Sequence, residues 1–411
     1  MSKRYFKFVM VMTLALAVTT PAWATNGTNL IGIGPTSRAM GGVGVAAPQD
    51  AVSAIFANPA GMCFGSYCPG SEAEFGGTFF APTVKSTVKT PFGAASEDSQ
   101  MKPFVVPAVG IAAPVNPKLR FGIGAYGVSG MGVDYKGKSP AVYGNLYTKL
   151  EIMKFAPNLA YQVSDNFSVG ASLSVDYQNL DLGEGSAHDY AYGAQLGLIY
   201  KIGIFSLGAS YTTPQGVTHK NVSSFGSGTP ANNVVYPTKR YFDLELQSPP
   251  IYAGGVAFQP NDKLLVEFDI KYLPWADASG YKDFDWDNQW VYALGAQYRV
   301  TPAVALRAGY NYSKNPVKEH NGFNAGGATN LQGTSVPNFM YEQFRIIGFP
   351  AVVEQHATLG LGWNVTESFI IDLSLMHAFK QSISESDSSG TWSFESSLEE
   401  TSTSFGCTWR F

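Results

Sequence analysis

The sequence predicts an all-β fold, an antiparallel transmembrane β-barrel. Charged residues make up only 14% of the 411-residue chain and 44 residues are glycine, whereas a soluble domain has a charged fraction of about 25%. After residue 24 no run of about 18 apolar residues occurs, so no helix is predicted to span a membrane. From residue 71 onward, apolar and polar residues alternate. Besides the helix, the closed barrel is the structure that satisfies its backbone hydrogen bonds in lipid.

Residues 1–24 have the features of a secretory signal peptide. Three basic residues precede an apolar stretch at 8–18, and Ala-Trp-Ala at 22–24 predicts cleavage before Thr25. Removing three of the 27 basic residues leaves 24 against 31 acidic residues, a net charge of about −7. This balance excludes a binder of nucleic acid or of anionic surfaces.

Residues 25–62 are small, apolar and nearly uncharged, and they show no strand alternation. Residues 48–57 are predicted to form a short helix with its apolar side chains at helical spacing. Asn58-Pro59 ends that helix. From the residues alone, this segment is either a compact insert inside a larger structure or an ordinary N-terminal extension.

The run Asn58-Pro59-Ala60-Gly61-Met62 is the most specific motif of the chain. It follows a series of glycines, Gly32, Gly34, Gly41, Gly42 and Gly44. Together they resemble the N-terminal plug of the FadL-like family, the outer-membrane transporters of long-chain fatty acids and aromatic hydrocarbons. The resemblance implies a fourteen-stranded barrel at 71–411 and a helical hatch at 25–70 that plugs its lumen, with Asn58, Pro59 and Ala60 as the hatch motif.

The resemblance also implies a function and its setting. We expect a monomeric, multi-pass protein of the Gram-negative outer membrane, in contact with membrane lipid and lipopolysaccharide, that takes up hydrophobic molecules and releases them sideways into the membrane. Long-chain fatty acids are the preferred substrate. Uptake of aromatic or alkane hydrocarbons by the same route is the alternative, and a general porin or structural barrel is the other. A porin is disfavoured because nearly fifty residues of the expected mature chain precede the first predicted strand.

Six short turns and seven longer connections predict fourteen strands. The turns fall at 116–118, 164–166, 202–203, 260–262, 301–302 and 365–366. The longer connections fall near 89–100, 131–146, 183–187, 218–239, 274–286, 314–353 and 381–398. The strands are expected to begin near 72, 101, 119, 147, 167, 188, 204, 240, 263, 287, 303, 354, 367 and 399. Short turns at one rim and long loops at the other, with both termini periplasmic, are typical of outer-membrane barrels.

Strand alternation places a set of charged side chains in the lumen. They are Arg120, Lys154, Asp176, Glu267, Asp269, Lys271, Arg299, Arg307, Asp372 and Arg410. Such groups either neutralise one another in a wet interior or leave a cation for an anionic ligand. We select Lys154 and Arg307 as ligand-binding cations because neither has a carboxylate two positions away, whereas Lys271 has Asp269.

The rest of the predicted ligand site comes from the hatch and from the resemblance. Leu30, Ile33 and Phe56 supply apolar surface, although a plug needs the same residues simply to pack. The family's N-terminus reaches its ligand pocket, which implies a role for Thr25, Asn26 and Gly27. In the family the third strand bends inward to open the wall; here it contains Gly127 and Gly130 among five glycines, and glycines permit a bulge.

The cysteines, histidines and outer loop complete the expectations. A disulfide between Cys63 and Cys68 is plausible in an oxidising compartment, and these cysteines lack partners at metal spacing. No nucleophile motif accompanies the five histidines. We therefore expect no enzyme, no metal and no cofactor. The apolar residues of 313–353 are interpreted as part of a capture surface or as a loop that packs on itself.

Overall fold

The predicted signal peptide at 1–24 lies outside the residues that the structure describes. The computed structural model describes residues 25–64, 68, 70–225 and 240–411. Its strands are β1 (Thr25–Asn26), β2 (Asn29–Leu30), β3 (Glu72–Thr90), β4 (Gly93–Asp98), β5 (Phe104–Pro114), β6 (Leu119–Asp134), β7 (Tyr147–Ser164), β8 (Phe167–Asp181), β9 (Ser186–Ile202), β10 (Phe205–Thr212), β11 (Gln215–Phe225), β12 (Arg240–Ser248), β13 (Ile251–Phe258), β14 (Leu264–Leu273), β15 (Gln289–Thr301), β16 (Val304–Ser313), β17 (Ala328–Leu331), β18 (Thr334–Pro337), β19 (Gln355–Asn364), β20 (Phe369–Ser386) and β21 (Ser393–Arg410).

Fourteen antiparallel strands close into a barrel, which confirms the predicted fold. β21 pairs with β3 and so completes the ring. β4 and β5 together form the second strand of the barrel, because both pair with β3. The pairs β11–β12 and β17–β18 form separate two-stranded sheets.

The helices are short and lie in the hatch and the outer loops. They are α1 (Pro35–Ala39), α2 (Ala51–Ala57), α3 (Pro140–Tyr143), α4 (Asn338–Gln343), three 3-10 helices (Pro59–Cys63, Trp275–Asp277 and Lys282–Phe284) and a π-helix (Phe344–Gly348). In the described part of the chain, no helix has the length and hydropathy to cross a membrane.

Apolar side chains cover the outside of the barrel. On β8, Val169 and Leu173 are exposed while Ser168 and Asp176 are buried in the lumen, as the alternation predicts. Aromatic rings near the short turns are also exposed, namely Tyr161, Tyr200, Phe205, Tyr298, Trp409 and Phe411. These rings correspond to the interfacial girdle of an outer-membrane barrel.

The outer rim differs from the prediction at three places. The connection expected near 89–100 contains β4, which pairs with β3. The eighth barrel strand is β13, which begins at Ile251 and not near 240, because Pro249 and Pro250 interrupt the chain after β12; proline cannot donate to a central ladder. The expected loop at 381–398 is mostly a continuation of β20 and β21, which pair as far as Ser386 and Ser393. The backbone N–H and C=O groups of the polar residues there are satisfied by the pairing of β20 with β21, even where apolar and polar residues alternate weakly.

The wall between β5 and β6 is incomplete. Their ladder ends at Ala108 and Tyr126. Further out, the next backbone contact is the hydrogen bond from Gln100 N to Asp134 O, 2.8 Å. We call the opening between these two contacts the wall gap. Pro107 directly precedes the last pair and has no N–H to extend the ladder.

Candidate functional site

The hatch fills the lumen and is held by charged side chains of β14. Asp269 Oδ2 accepts hydrogen bonds from the backbone N–H groups of Gly44 (2.9 Å) and Val45 (3.1 Å). Glu267 Oε1 accepts from Ala46 (2.7 Å) and Ala47 (3.0 Å). These two carboxylates, predicted only to face inward, therefore attach the hatch to the barrel.

Carboxylates of β3 hold the start of α2 in the same way. Asp50 caps this helix by accepting from Ser53 N at 2.7 Å. Glu72 Oε1 accepts from Ala51 N at 2.8 Å, and Glu74 Oε2 accepts from Val52 N at 3.4 Å. The first N–H groups of a helix lack internal partners and favour negative charge, so the barrel wall completes this helix.

The hatch motif anchors the other side of the plug. Asn58 Nδ2 donates to Val45 O within the hatch (2.7 Å) and to Leu198 O of β9 (3.0 Å). Ala60 O accepts from Ser168 Oγ of β8 at 2.8 Å. Pro59 begins the 3-10 helix, where its missing N–H costs nothing.

A cavity of about 1010 Å³, its opening included, lies between the hatch and the barrel. Apolar and polar groups line it together, and its charged lining residues are Lys154, Asp176 and Lys271. Four of the predicted ligand residues line it, namely Asn26, Leu30, Phe56 and Lys154. Sequence reasoning missed Gln215 and Tyr126 of the lining, because neither carries a motif.

Lys154 has a carboxylate partner on the neighbouring strand, which corrects the reason for selecting it as a free cation. Its Nζ lies 3.0 Å from Asp176 Oδ2 and donates to Gln215 Oε1 at 2.6 Å. Asp176 stands opposite Lys154 in the β7–β8 ladder. The two residues are almost equally far from the turn at 164–166, so the hairpin register contained this signal.

Arg307 does not belong to this cavity. It pairs with Asp372 at 2.5 Å and lines a second cavity of about 520 Å³ near the short turns, together with Asp50, Glu72 and Arg410. The structure therefore separates Arg307 from Lys154, so the two selected cations do not share one cavity. An intervening glycine, Gly362, leaves room for the pair across β19.

Lys271, which the sequence analysis set aside, lines the larger cavity. Its Nζ donates to Gly42 O at 2.8 Å. Within the described residues it forms no ion pair, because Asp269 is engaged by the hatch backbone. An ammonium group has three N–H bonds, so two are left for a ligand in the cavity that Lys271 lines.

The N-terminal residues of the described chain take separate positions. Asn26 lines the cavity and accepts from Ser313 Oγ at 3.0 Å. Gly27 packs against the Trp275 ring so closely that a Cβ would lie 2.8 Å from it, and its φ is +63°. Ile33 is buried in the hatch core, and Thr25 lies outside the cavity lining.

β6 carries a bulge at the wall gap. Its pairing with β7 shifts register between Gly127 and Ser129. Past the bulge, Asn29 of β2 pairs with Ser129, and Gly130 N donates to Thr28 O at 3.1 Å. The N-terminal segment thus occupies the edge of β6 that β5 leaves unpaired.

The predicted disulfide between Cys63 and Cys68 is not formed. Cys63 is a buried free thiol, and burial raises its pKa to about 12. Cys68 Sγ instead donates to Met62 O at 3.1 Å. The thiols are therefore used as small packing groups.

The outer loops after β14 and after β16 pack aromatic rings over the barrel. Trp275, Tyr281 and Trp286 stack on one another with centroids 4.5–5.3 Å apart, and Phe284 lies 5.2 Å from Phe344. Thr28 Oγ1 lies 3.2 Å from Tyr281 Oη. The rings thus form the roof above the N-terminal residues of the hatch.

An ionic cluster, His320, Glu342, Arg345 and Glu385, lies within this loop region. One ligand atom each of His320, Glu342 and Glu385 lie within 4.8 Å of one another. Arg345 already contacts both carboxylates, at 2.5 Å and 3.4 Å. Its guanidinium supplies the positive charge there, which supports a structural role for the cluster.

Solved structures share this fold. A Pseudomonas aeruginosa FadL homologue is 15% identical with a TM-score of 0.70, over 93% of this chain and 99% of that chain. The Pseudomonas putida toluene transporter TodX is 19% identical with a TM-score of 0.66, over 92% and 99%. The Ralstonia pickettii toluene transporter TbuX is 18% identical with a TM-score of 0.62, over 92% and 98%.

Sequence comparison identifies the family. No match was found among curated proteins. The family model described as "Outer membrane protein transport protein (OMPP1/FadL/TodX)" matches residues 13–189 and 181–323, which is more than half of the chain. The plugged barrel of fourteen strands agrees with that match. The chain therefore belongs to the OMPP1/FadL/TodX family of outer membrane transport proteins.

Proposed function

We propose that this protein takes up hydrophobic molecules that carry an anionic head group, long-chain fatty acids by preference. The observation that carries the proposal is the charge of the larger cavity. Its lining residues include two lysines, Lys154 and Lys271, and one carboxylate, Asp176. Ligand pockets are mostly apolar with a few placed polar groups. In this cavity the two lysines outnumber the one carboxylate, so the charged group that remains for a ligand is an ammonium.

Lys271 is the residue that would read the carboxylate. Lys154 is held by Asp176 and Gln215, so most of its donors are used. Lys271 donates only to the carbonyl of Gly42 among the described residues. A charge-assisted hydrogen bond from its remaining donors would stabilise a fatty-acid head group, while Leu30 and Phe56 cover the alkyl chain.

The proposed route runs from the outer loop to the wall gap. Aromatic side chains of 313–353, among them Phe344, would provide the apolar surface for capture. Phe284 of the loop after β14 packs against Phe344 and extends this surface. Tyr126 and Val128 line the cavity and also border the gap at the end of the β5–β6 ladder. A ligand leaving past Gly127 and Gly130 would enter the membrane sideways without crossing the plug.

Processing and organisation form part of the same proposal. Cleavage before Thr25 would leave 25–70 as the hatch and 71–411 as the barrel, acting as a monomer among outer-membrane lipid and lipopolysaccharide. In support, Ser71 N donates to Phe411 O (2.9 Å) and Phe411 N to Ser71 O (3.0 Å), which ties the start of the barrel to its end. Asn58, Pro59 and Ala60 would fix the hatch.

Aromatic or alkane hydrocarbons are the alternative substrates. Two of the similar structures are described as toluene transporters, and an uncharged ligand would use the apolar lining without the lysines. A general porin would instead need an open lumen, whereas this hatch is hydrogen-bonded to β3, β8, β9 and β14.

Binding of palmitate and of hexadecane to the detergent-purified protein separates these readings. We expect palmitate to bind more tightly, Lys271→Met to remove most of that preference, and Lys154→Met to reduce it less. Lys118→Met, which removes a lysine from an exposed turn, is the control and should leave both affinities unchanged. Equal binding of the two ligands by all four proteins would replace the fatty-acid proposal with the hydrocarbon alternative.

A further inference from the structure

The first described residue, Thr25, is deeply buried against the barrel wall. It is 2% exposed, and its backbone N–H donates to the carboxylate of Glu400 on β21. Glu400 and His356 of β19 both pair with Ala378 of β20. The two buried side chains therefore stand on one rung, on either side of β20, where Thr25 meets the wall.

Two buried polar atoms in this place, Glu400 Oε2 and His356 Nε2, have no hydrogen-bond partner. Thr25 contacts Glu400 through its side chain as well as through its backbone. His356 Nδ1 lies 3.3 Å from Asn311 O, so Nδ1 carries the proton and Nε2 of the neutral ring is an acceptor. Leaving buried acceptors unsatisfied is destabilising, so a donor is missing here.

Glu400 also has no cation in direct contact, since within the described chain it forms no ion pair. The positive charge of the nearby Arg38 of α1 acts on Glu400, but the Arg38 guanidinium donates its hydrogen bonds to Ser402 Oγ (2.6 Å) and to Gly32 O (3.2 Å). A buried charge without a close partner is strongly destabilising, so a contacting cation is missing as well as a donor.

We propose that the α-ammonium group of Thr25, created by cleavage before this residue, completes the site formed by Glu400 and His356. An amide nitrogen has one N–H and no charge, whereas an α-ammonium has three N–H bonds and a positive charge. Cleavage thus supplies the missing donors and the missing cation in one step. The inference rests on the proposed cleavage site. It means that the contact of the hatch with Glu400 and His356 forms fully only in the processed protein.

The test measures the titration of the α-amine in protein purified from outer membranes. Intact mass gives the N-terminus, and pulse acetylation between about pH 6 and about pH 10 gives the α-amine midpoint, ordinarily about 7.7–8.0. We expect a wild-type midpoint above that range. The attraction of Glu400 raises the pKa of the α-amine, and we expect it to exceed the lowering by burial and by the like charge of Arg38. Glu400→Gln should lower the midpoint, so that the amine reacts about tenfold faster near neutral pH, one pKa unit.

Glu399→Gln is the matched control, because Glu399 precedes Glu400 and its side chain is 43% exposed. It should titrate like the wild type. An N-terminus other than Thr25, or a wild-type midpoint at or below the ordinary range, would overturn the proposal even if Glu400→Gln fails to assemble. Equal midpoints in wild type and Glu400→Gln would overturn it too. Neither result depends on which ligand is transported.

Discussion

The two sides of the barrel wall differ in completeness. Between β14 and β15 the ladder runs without interruption from Leu264–Tyr298 to Leu273–Gln289. Between β5 and β6 it stops at Ala108–Tyr126, and the wall gap follows. Both sides border the cavity, but only the incomplete side has an opening between its strands.

The hatch is attached differently to these two sides. On β14 it is held by charged groups, since Glu267 and Asp269 accept four backbone N–H bonds. At β6 it is held by neutral groups, because Thr28 O accepts from Ser129 Oγ (2.8 Å) and Gly130 N (3.1 Å). Charge-assisted hydrogen bonds are the stronger class. We therefore expect that displacing the N-terminal segment at the gap costs less than detaching the plug, as the proposed release through the gap requires.

Closing the gap covalently should have the largest effect. A Cβ built at Gly127 lies 3.7 Å from the Cβ of Val106, which is the separation that a disulfide requires. The double variant Val106→Cys/Gly127→Cys should form this bond and lose nearly all fatty-acid uptake by cells when oxidised. Uptake should return after reduction, because the barrel itself is unchanged.

The two single variants are the controls for this experiment, since neither can form the new bond. They should transport like the wild type with or without reductant, which also tests for mispairing with Cys63, Cys68 or Cys407. Equal uptake by the oxidised and reduced double variant would mean that ligand does not leave through the gap.

Weakening the attachment on the complete side should have an intermediate effect. Glu267→Ala/Asp269→Ala leaves the N–H groups of Gly44, Val45, Ala46 and Ala47 without acceptors, and a hydrogen bond to a charged group contributes about 1.5–3 kcal/mol. We expect the hatch to loosen and ion-conducting events in planar bilayers to become several-fold more frequent.

Glu267→Gln/Asp269→Asn is the matched control, because both amides retain an acceptor oxygen at the same place. This variant should remain almost as silent as the wild type. If the alanine variant were equally silent, the hatch would be held mainly by packing and by Asn58, and the contrast between the two sides would lose its basis.

Much of the barrel could be predicted because strand alternation and turn residues are local signals. The inward position of Asp176 followed from the parity of β8, and most strand starts followed from the short turns. Whether a strand pairs along its whole length is not local. The wall gap depends on Pro107 and on the bulge after Gly127 acting together on neighbouring strands, and the glycines of β6 alone indicated only that a bulge was permitted.

The candidate site was predicted less well because it depends on partners distant in sequence. Lys154 was chosen by looking along its own strand, whereas its carboxylate stands across the hairpin. Arg307 of β16 and Asp372 of β20 meet across β19. The connection between β16 and β19 is long, so the register between these strands could not be counted from a short turn. Lys271 was set aside for its neighbour Asp269, which the hatch backbone engages; no pattern within β14 shows what lies inside the barrel.

The smallest effect is expected from the outer loop after β16, which contacts both sides of the wall and is stabilised in a pH-dependent way. The loop leaves β16 next to the complete wall and reaches β7 beside the gap, where Thr148 Oγ1 donates to Gly348 O at 2.6 Å. His320 helps to fix it, with Nδ1 3.0 Å from Glu342 Oε1 and Nε2 3.0 Å from Asp285 Oδ2. The hydrogen bond with Glu342 raises the pKa of His320 against the opposing effect of partial burial.

A raised folded-state pKa fixes the sign of the pH dependence. The stabilisation by His320 is complete below its unfolded-state pKa of about 6.5 and is lost as pH rises through the higher folded-state value. Hydrogen exchange of Asn338–Gln343 and Phe344–Gly348, corrected for intrinsic rates, should therefore be a few-fold faster at alkaline than at mildly acidic pH. His320→Gln should abolish that difference. The same pH dependence in both proteins would mean that another titrating group, and not the histidine, sets how firmly the loop is held.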